Sequence, residues 1–96
     1  MTQTDVTASR VIGSIYQNLS PRPLFLNISM YISVLGDTNS ILTGVVSPPT
    51  VYQCAESQDA GLASTMVMSA IVLPLQYYKL LNGSGNSSIS AWVETV

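Results

Sequence analysis

One segment of the sequence alternates strictly between apolar residues and polar or aromatic ones, and it restricts the possible folds more than any other. Every even position between residues 24 and 34 is apolar. The odd positions hold Phe25, Asn27, Ser29, Tyr31 and Ser33. Since successive side chains of a strand point to opposite faces of a sheet, this segment predicts a strand with one buried face. A helix would scatter the same apolar residues around its axis.

Shorter segments rich in β-branched, aromatic and other apolar residues predict further strands. They cover residues 7–17, 41–46, 51–55, 63–73, 77–81 and 88–94. Polar and turn-forming residues separate them at 18–23, 36–40, 47–50, 56–60 and 82–87. About seven short strands with turn signals roughly every 8–15 residues are typical of an all-β fold. The sequence therefore predicts one domain over residues 1–96, an antiparallel β-sandwich of jelly-roll type, with residues 1–6 as a flexible or partner-contacting N-terminal arm.

The connections between these strands carry three local predictions. Residues 7–17 and the strand that follows residue 23 are expected to form the first hairpin. The Gly/Ser turn at 83–85 is expected to close another hairpin. Residues 71–80 are interpreted as the end of one strand, a corner at Pro74 and a new strand that opens on two tyrosines. Whether Tyr77 or Tyr78 points into the core or at a neighbouring subunit stays open.

A helix over residues 60–73 is the one competing secondary structure. This segment contains alanine, leucine and methionine, which favour helices. Thr65, Val67 and Ile71 favour a strand instead, and Pro74 would stop a helix from continuing. We expect the strand.

The chain is poor in charge, which bears on its partners. Only 8% of its residues are charged, against about 25% in ordinary soluble domains. The charged residues are Asp5, Arg10, Arg22, Asp37, Glu56, Asp59, Lys79 and Glu94. A surface of this kind favours coverage by further copies or by a larger assembly. The alternative is a monomer kept in solution by its many Ser, Thr, Asn and Gln side chains. The net charge of −2 and the lack of a basic run exclude nucleic acid from the expected partners.

No residues combine into a recognisable catalytic, cofactor-binding or metal-binding site. The chain has no histidine, the commonest general base and metal ligand. Cys54 is single, so no internal disulfide forms, and without an activating histidine it is expected to be a small core residue. Asp37, Glu56 and Asp59 are expected to be solvated loop charges. The sequence therefore predicts a protein that is not an enzyme, with no cofactor and no metal.

Membrane insertion is also not expected. The most apolar run, residues 66–75, contains Ser69 and Pro74, and at about ten residues it is half the length of a spanning helix. Residues 1–5 lack the basic region that begins a secretory signal.

Two stretches carry a recurring pattern. In residues 10–26, Arg10 is followed by Gly13, by Tyr16 and Asn18, and then by a proline-containing turn and the alternating strand. In residues 72–94, an apolar strand and Pro74 precede an aromatic pair with lysine, a Gly/Ser turn, and the sequence Ser-Ala-Trp-Val-Glu at 90–94.

Together these stretches are similar to small β-sandwich domains of tailed-bacteriophage virion proteins, which occur at the distal ends of tail fibres and as capsid decoration-type accessory proteins. The sequence departs from the family pattern at three positions. Leu73 and Leu75 stand where the family has proline and glycine at the corner, and Pro21 stands where the first turn has glycine. These departures concern the geometry of the turns.

The resemblance implies a non-enzymatic structural protein located in the virion, on the capsid or the tail. It is expected to self-associate, with a trimer favoured, and to contact other virion proteins. The alternative is a receptor-binding tail-fibre tip that recognises a host cell-surface glycan. Met1 followed directly by one domain favours a complete accessory protein over part of a fibre.

Aromatic residues are the candidate contacts in either case. Tyr31, Tyr77, Tyr78 and Trp92 are expected at a subunit interface or on the surface. Three of them, Tyr77, Tyr78 and Trp92, could instead stack on a sugar, although strand aromatics more often serve a core or an interface.

Overall fold

Two four-stranded antiparallel sheets pack face to face in this computed structural model, which describes residues 2–32, 37–57, 64–83 and 87–96, without the side chains of residues 56, 57 and 64. The strands are β1 (Gln3–Asp5), β2 (Tyr16–Gln17), β3 (Leu24–Ile32), β4 (Thr38–Gly44), β5 (Val51–Ser57), β6 (Ser64–Val72), β7 (Tyr77–Asn82) and β8 (Ser87–Thr95). A short 3-10 turn covers Thr7–Ser9. The predicted all-β sandwich is confirmed.

The strand order is that of a jelly roll. One sheet has the order β1-β8-β3-β6 and the other β2-β7-β4-β5. Each strand of the first half of the chain therefore pairs with one from the second half: β1 with β8, β2 with β7, β3 with β6, and β4 with β5. This nested pairing is what results when one long antiparallel ribbon rolls into two sheets.

The alternating segment forms β3, and its apolar face forms the centre of the core. Leu26, Ile28, Met30 and Ile32 are at most 1% exposed, whereas Phe25 and Tyr31 point away from the core. Leu24, at the start of the strand, completes the buried series. The facing sheet, β6 and β8 contribute the other large buried side chains: Ile41, Met68, Val72, Tyr78, Leu80 and Trp92.

The predicted first hairpin is wrong. Within residues 7–17 only Tyr16 and Gln17 form a strand, and they pair with Tyr78 and Tyr77 of β7. β2 and β3 consequently lie in different sheets, so the chain crosses between the sheets after residue 17. The side chain of Asn18 stabilises this crossing, because its Nδ2 donates to the carbonyl oxygens of Arg22, at 2.8 Å, and Val72, at 2.9 Å.

The hairpin predicted at residues 83–85 is wrong for the same topological reason. β7 and β8 belong to different sheets, and β8 lies between β1 and β3. The alternative helix over residues 60–73 is also wrong where the structure describes the segment. Residues 64–72 form β6 and pair with β3 over nine consecutive positions.

Two turn predictions were too long. β4 begins at Thr38, so only part of the turn predicted at 36–40 precedes the strand. Asn39 and Ser40 are buried there despite their polarity, and the Asn39 Oδ1 accepts a 2.7 Å hydrogen bond from the Asn82 amide. β5 likewise extends to Ser57, into the predicted loop at 56–60, whose remaining residues lie outside the described part of the chain.

The N-terminal segment lies along a sheet instead of forming the expected arm. Gln3–Asp5 pairs with β8, and the backbones of Thr2 and Val96 exchange two hydrogen bonds of 2.6 and 2.9 Å. Backbone groups at the edge of a sheet need partners, and β8 offers them here. The segment is therefore strand β1 of the sheet.

The corner at Pro74 joins β6 to β7 and carries the sequence from one sheet to the other. Leu75 has a φ of 67°, in the left-handed region that favours glycine. This is the position at which the phage family pattern has glycine. The Leu75 side chain is 65% exposed, so its packing offsets little of the free-energy cost of the left-handed backbone conformation.

Replacing Leu75 by glycine is expected to raise the free energy of unfolding by about 0.5–1 kcal/mol, since the left-handed penalty of a non-glycine residue exceeds the entropy that glycine loses. Urea denaturation measures this change. Leu19, which is 77% exposed and has no positive φ, provides the matched control. Leu19→Gly should destabilise slightly, and equal destabilisation by both variants would contradict the interpretation.

Candidate functional site

A buried carboxylate lies at the centre of the most elaborate side-chain cluster in the described residues. Glu94 on β8 is 9% exposed. Its Oε1 accepts a 3.0 Å bond from Arg10 Nη2, and its Oε2 accepts bonds from Arg10 Nε at 3.2 Å, Tyr78 Oη at 2.7 Å and Trp92 Nε1 at 3.1 Å. We call Arg10, Tyr16, Tyr78, Trp92 and Glu94 the Glu94 cluster.

The fold brings the five members of this cluster together from four segments of the chain. Trp92 and Glu94 are two residues apart on β8, so both point into the sandwich. Tyr78 reaches them from β7 in the facing sheet, and Arg10 follows the 3-10 turn. The hydroxyl of Thr7 in that turn accepts a 2.9 Å hydrogen bond from the Trp92 backbone N–H.

The Tyr16 ring contacts three other members of the cluster. The Arg10 guanidinium lies over its ring, 4.5 Å from the centroid, in a cation–π contact. The ring is also 5.8 Å from that of Tyr78 and meets Trp92 edge to face at 6.0 Å. The Tyr16 hydroxyl accepts a 2.8 Å hydrogen bond from the Val11 backbone N–H.

The ionisable groups of the cluster interact mainly with one another, and this shifts the pKa values of Arg10 and Tyr78. Burial tends to lower the pKa of Arg10, but its hydrogen bonds to Glu94 and the carboxylate charge outweigh this and leave the pKa raised. Burial, and then the hydrogen bond and charge of Glu94, raise the pKa of the Tyr78 phenol well above its ordinary value. Every buried side-chain nitrogen and oxygen of the described residues has a hydrogen-bond partner. The cluster therefore stabilises one end of the sandwich, and its carboxylate has its donors within the fold.

The Tyr78 phenol is expected to resist ionisation until the protein unfolds. Its raised pKa means that folding favours the neutral phenol, so this contribution to stability is complete below about pH 10 and decreases as the pH rises above it. Absorbance at 295 nm follows tyrosinate formation. One of the five tyrosines should titrate only together with loss of near-UV circular dichroism, and that late titration should be absent from Tyr78→Phe.

Asn18 forms a second buried polar anchor. It is 3% exposed, and besides its two donated bonds its Oδ1 accepts from the Ser20 backbone N–H at 3.0 Å and the Ser20 hydroxyl at 2.8 Å. Its backbone N–H donates to the Gln76 carbonyl, and its own carbonyl accepts from the Leu75 N–H. Asn18 thus connects the 18–23 crossing to the Pro74 corner.

The predicted contact residues separate into two groups. Tyr31 is 44% exposed and Tyr77 is half-buried, so both remain available to a partner. Tyr78 and Trp92 are only 2% and 0% exposed. Their placement at a subunit interface or on the surface is corrected: both are core residues, because the phenol and the indole N–H find their partner in Glu94. This also settles the direction of the two tyrosines, since Tyr78 points inward.

Other predicted residues have clear positions as well. Cys54 on β5 is half-buried and packs against the core. Asp37 is 2% exposed, so its description as a solvated loop charge is wrong; the amide of Asn82 and the hydroxyl of Ser87 donate to its carboxylate. Asp59 and the Glu56 side chain lie outside the described part of the structure. Among the described residues, no group of three acidic or cysteine side chains could hold a metal.

Sequence reasoning missed the roles of Arg10, Tyr16 and Glu94. All three nevertheless lie, with Asn18 and Trp92, in residues 10–26 and 72–94, the two stretches whose residue pattern stands out in the sequence. The structure brings these two stretches together around one carboxylate and one crossing.

No family model, curated protein or solved structure matches the chain. Among the described residues, no helix has the length and apolar character needed to cross a membrane.

Proposed function

We propose that this chain is a non-enzymatic structural protein of a tailed-bacteriophage virion, a self-associating accessory or decoration protein on the capsid or tail. The observation that carries the proposal is the outer face of the β1-β8-β3-β6 sheet. On that face β3 and β6 place Phe25 opposite Ile71, Asn27 opposite Ser69, Ser29 opposite Val67, and Tyr31 opposite Thr65. None of these side chains is charged.

The distribution of the described charges strengthens this argument. Arg10 and Glu94 pair within the sandwich, and Asp37 is buried at its other end. Lys79 belongs to the other sheet, and Asp5 lies on β1, at the edge of this sheet farthest from β6. The part of the face formed by β3 and β6 is therefore uncharged, and an uncharged face with exposed apolar side chains is typical of a surface that another protein covers. Copies of the chain itself or neighbouring virion proteins are the expected partners.

The Glu94 cluster supports a structural role over a catalytic one. A general acid or base must reach a substrate proton, and the Glu94 carboxylate is buried with four donors from its own chain. The jelly roll itself occurs in viral capsid domains and in lectins, which is an analogy at the level of the fold.

The receptor-binding alternative has less support. It requires exposed aromatic side chains that can stack on a glycan, and Trp92 and Tyr78 are buried. Tyr31 and Tyr52 are exposed, at 44% and 62%, but they stand on β3 and β5, which belong to different sheets. A glycan array with the purified protein tests this alternative directly, and specific binding would favour it over a decoration protein.

Two measurements test the proposal. Mass spectrometry of purified phage particles should detect the chain in many copies per particle, and its absence from particles produced by the genome that encodes it would overturn the virion role. Light scattering coupled to size exclusion should give a mass that is a multiple of 10.2 kDa at micromolar concentration. A mass of one chain would overturn self-association.

A further inference from the structure

In the described part of the chain the two sheets have four edge strands, and β6 lacks the features that usually protect an edge. β1 and β2 have three and two residues, and β1 carries Asp5. β5 contains a bulge, because Cys54 and Tyr52 pair with consecutive residues of β4 and leave Gln53 as an extra residue. β6 has nine residues and pairs with β3 without a register shift. Its sequence, Ser-Thr-Met-Val-Met-Ser-Ala-Ile-Val, contains no charge, proline or glycine.

An edge of this kind exposes a row of backbone N–H and C=O groups that can pair with another strand. The side chains beside it are uncharged, and several of them are apolar. A hollow of about 410 Å³ is lined by Val45, Val51, Ile71 and Leu73 together with polar uncharged residues. A second, of about 390 Å³, is lined by Phe25, Asn27 and Ser69, and it shares Ile71 and Gln53 with the first. No charged residue lines either hollow.

We propose that β6 pairs with β6 of a second copy, antiparallel about a two-fold axis at Ser69, so that two four-stranded sheets become one sheet of eight strands. This inference rests on the self-association proposed above and assigns it to the β6 edge, so that the outer face of the enlarged sheet stays open to neighbouring virion proteins. It names the edge strand as the interface and a second copy of this chain as the occupant.

The register follows from the side chains. Outward and inward faces must continue across the new pair, so odd residues of β6 must oppose odd residues. With Ser69 opposite Ser69, Val67 stands opposite Ile71 of the second copy, and Thr65 stands opposite Leu73. The exposed apolar residues Val67 and Ile71 are then covered by each other.

Charge and the exposed side chains favour a second copy as the occupant. An isologous interface places identical patches together, so any charge on the patch would meet its like. This patch has none among the described residues. Val67, Ile71 and Leu73, which flank the strand edge, are 61%, 47% and 51% exposed, so a second β6 finds apolar side chains to contact as well as backbone groups to pair with.

The same surface favours a dimer over the trimer expected from the sequence. A two-fold axis uses one edge twice, whereas a ring of three copies needs a second, complementary edge on each copy. The other three edges are short or bulged.

Ser69→Lys is the discriminating variant, since it places two like charges directly opposite each other at the axis. Light scattering should give about 20 kDa, twice 10.2 kDa, for the wild-type protein. Dimerisation of the variant should be at least about 100-fold weaker, with unchanged near-UV circular dichroism. Ser88→Lys is the matched control, because Ser88 is an exposed serine on β8, which has β1 and β3 as neighbours. It should remain dimeric.

A cysteine cross-link provides a second measurement that does not depend on how Ser69→Lys folds. Ser69→Cys in a Cys54→Ala background should form a disulfide-linked dimer on mild oxidation, and Ser88→Cys in the same background should not. A wild-type trimer would overturn the β6 interface and leave self-association intact. So would a dimer that Ser69→Lys does not weaken and that Ser69→Cys does not cross-link. A wild-type monomer at all accessible concentrations would overturn both.

Discussion

Replacing Glu94 by alanine is expected to lower the free energy of unfolding by about 3–5 kcal/mol, because it leaves the buried Tyr78 hydroxyl and the Trp92 indole N–H without an acceptor and removes the only ion pair of Arg10 among the described residues. For a domain of 96 residues this corresponds to a fall of at least 12 °C in Tm, at about 4–8 °C per kcal/mol. Thermal unfolding followed by circular dichroism measures it.

Glu94→Gln separates the contribution of the hydrogen bonds to Tyr78 and Trp92 from that of the ion pair with Arg10. The amide oxygen can still accept from Tyr78 and Trp92, but the charge that pairs with Arg10 is lost. We therefore expect this variant to lower the free energy of unfolding by roughly 2 kcal/mol, which is half the effect of the alanine variant. A double-mutant cycle with Arg10→Ala should show coupling between the two sites, since contacting residues are not additive. Additive losses, or a Glu94→Ala loss below 1 kcal/mol, would contradict the cluster's structural role.

Trp92→Ala is expected to destabilise the protein by about 3–5 kcal/mol as well, through a different mechanism. Trp92 is fully buried and packs edge to face on Tyr16, so truncation leaves a cavity between the two sheets. It also removes one donor to Glu94. Chemical denaturation followed by far-UV circular dichroism measures the loss, because the variant lacks the single tryptophan of the chain.

Tyr31→Ala is the matched control for Trp92→Ala. It also truncates an aromatic residue of the same sheet, but its side chain is 44% exposed on the outer face. Its effect on monomer stability should stay within about 0.5 kcal/mol. Equal losses in the two variants would show that the assignment of Trp92 to the core and Tyr31 to the surface is incorrect.

Local patterns predicted most of the strands after residue 23. β3 follows the even-residue alternation at 24–32, and Thr65, Val67 and Ile71 indicate a strand instead of a helix at β6. The Pro74 corner was also predicted, because a proline between two apolar runs interrupts a strand. These features depend on residues close together in the sequence.

The pairing of the strands was not predicted correctly. Neighbouring segments were expected to form hairpins, but β2 pairs with β7 and β8 pairs with β1 and β3. The ion pair between Arg10 and Glu94 joins residues 84 positions apart, and nothing in either local stretch indicates the other. Burial of Asp37 was missed for the same reason, since its donors Asn82 and Ser87 come from distant strands.

The sequence by itself determined most of the strands after residue 23, the apolar face of β3, and how little charge the surface could carry, because these follow from side-chain alternation and composition. Only the tertiary structure decided that Tyr78 and Trp92 point inward, that the N-terminal segment joins a sheet, and that β6 is the exposed edge. These outcomes depend on which distant segments satisfy each other's hydrogen bonds when one ribbon is rolled into two sheets, and local sequence does not encode that choice.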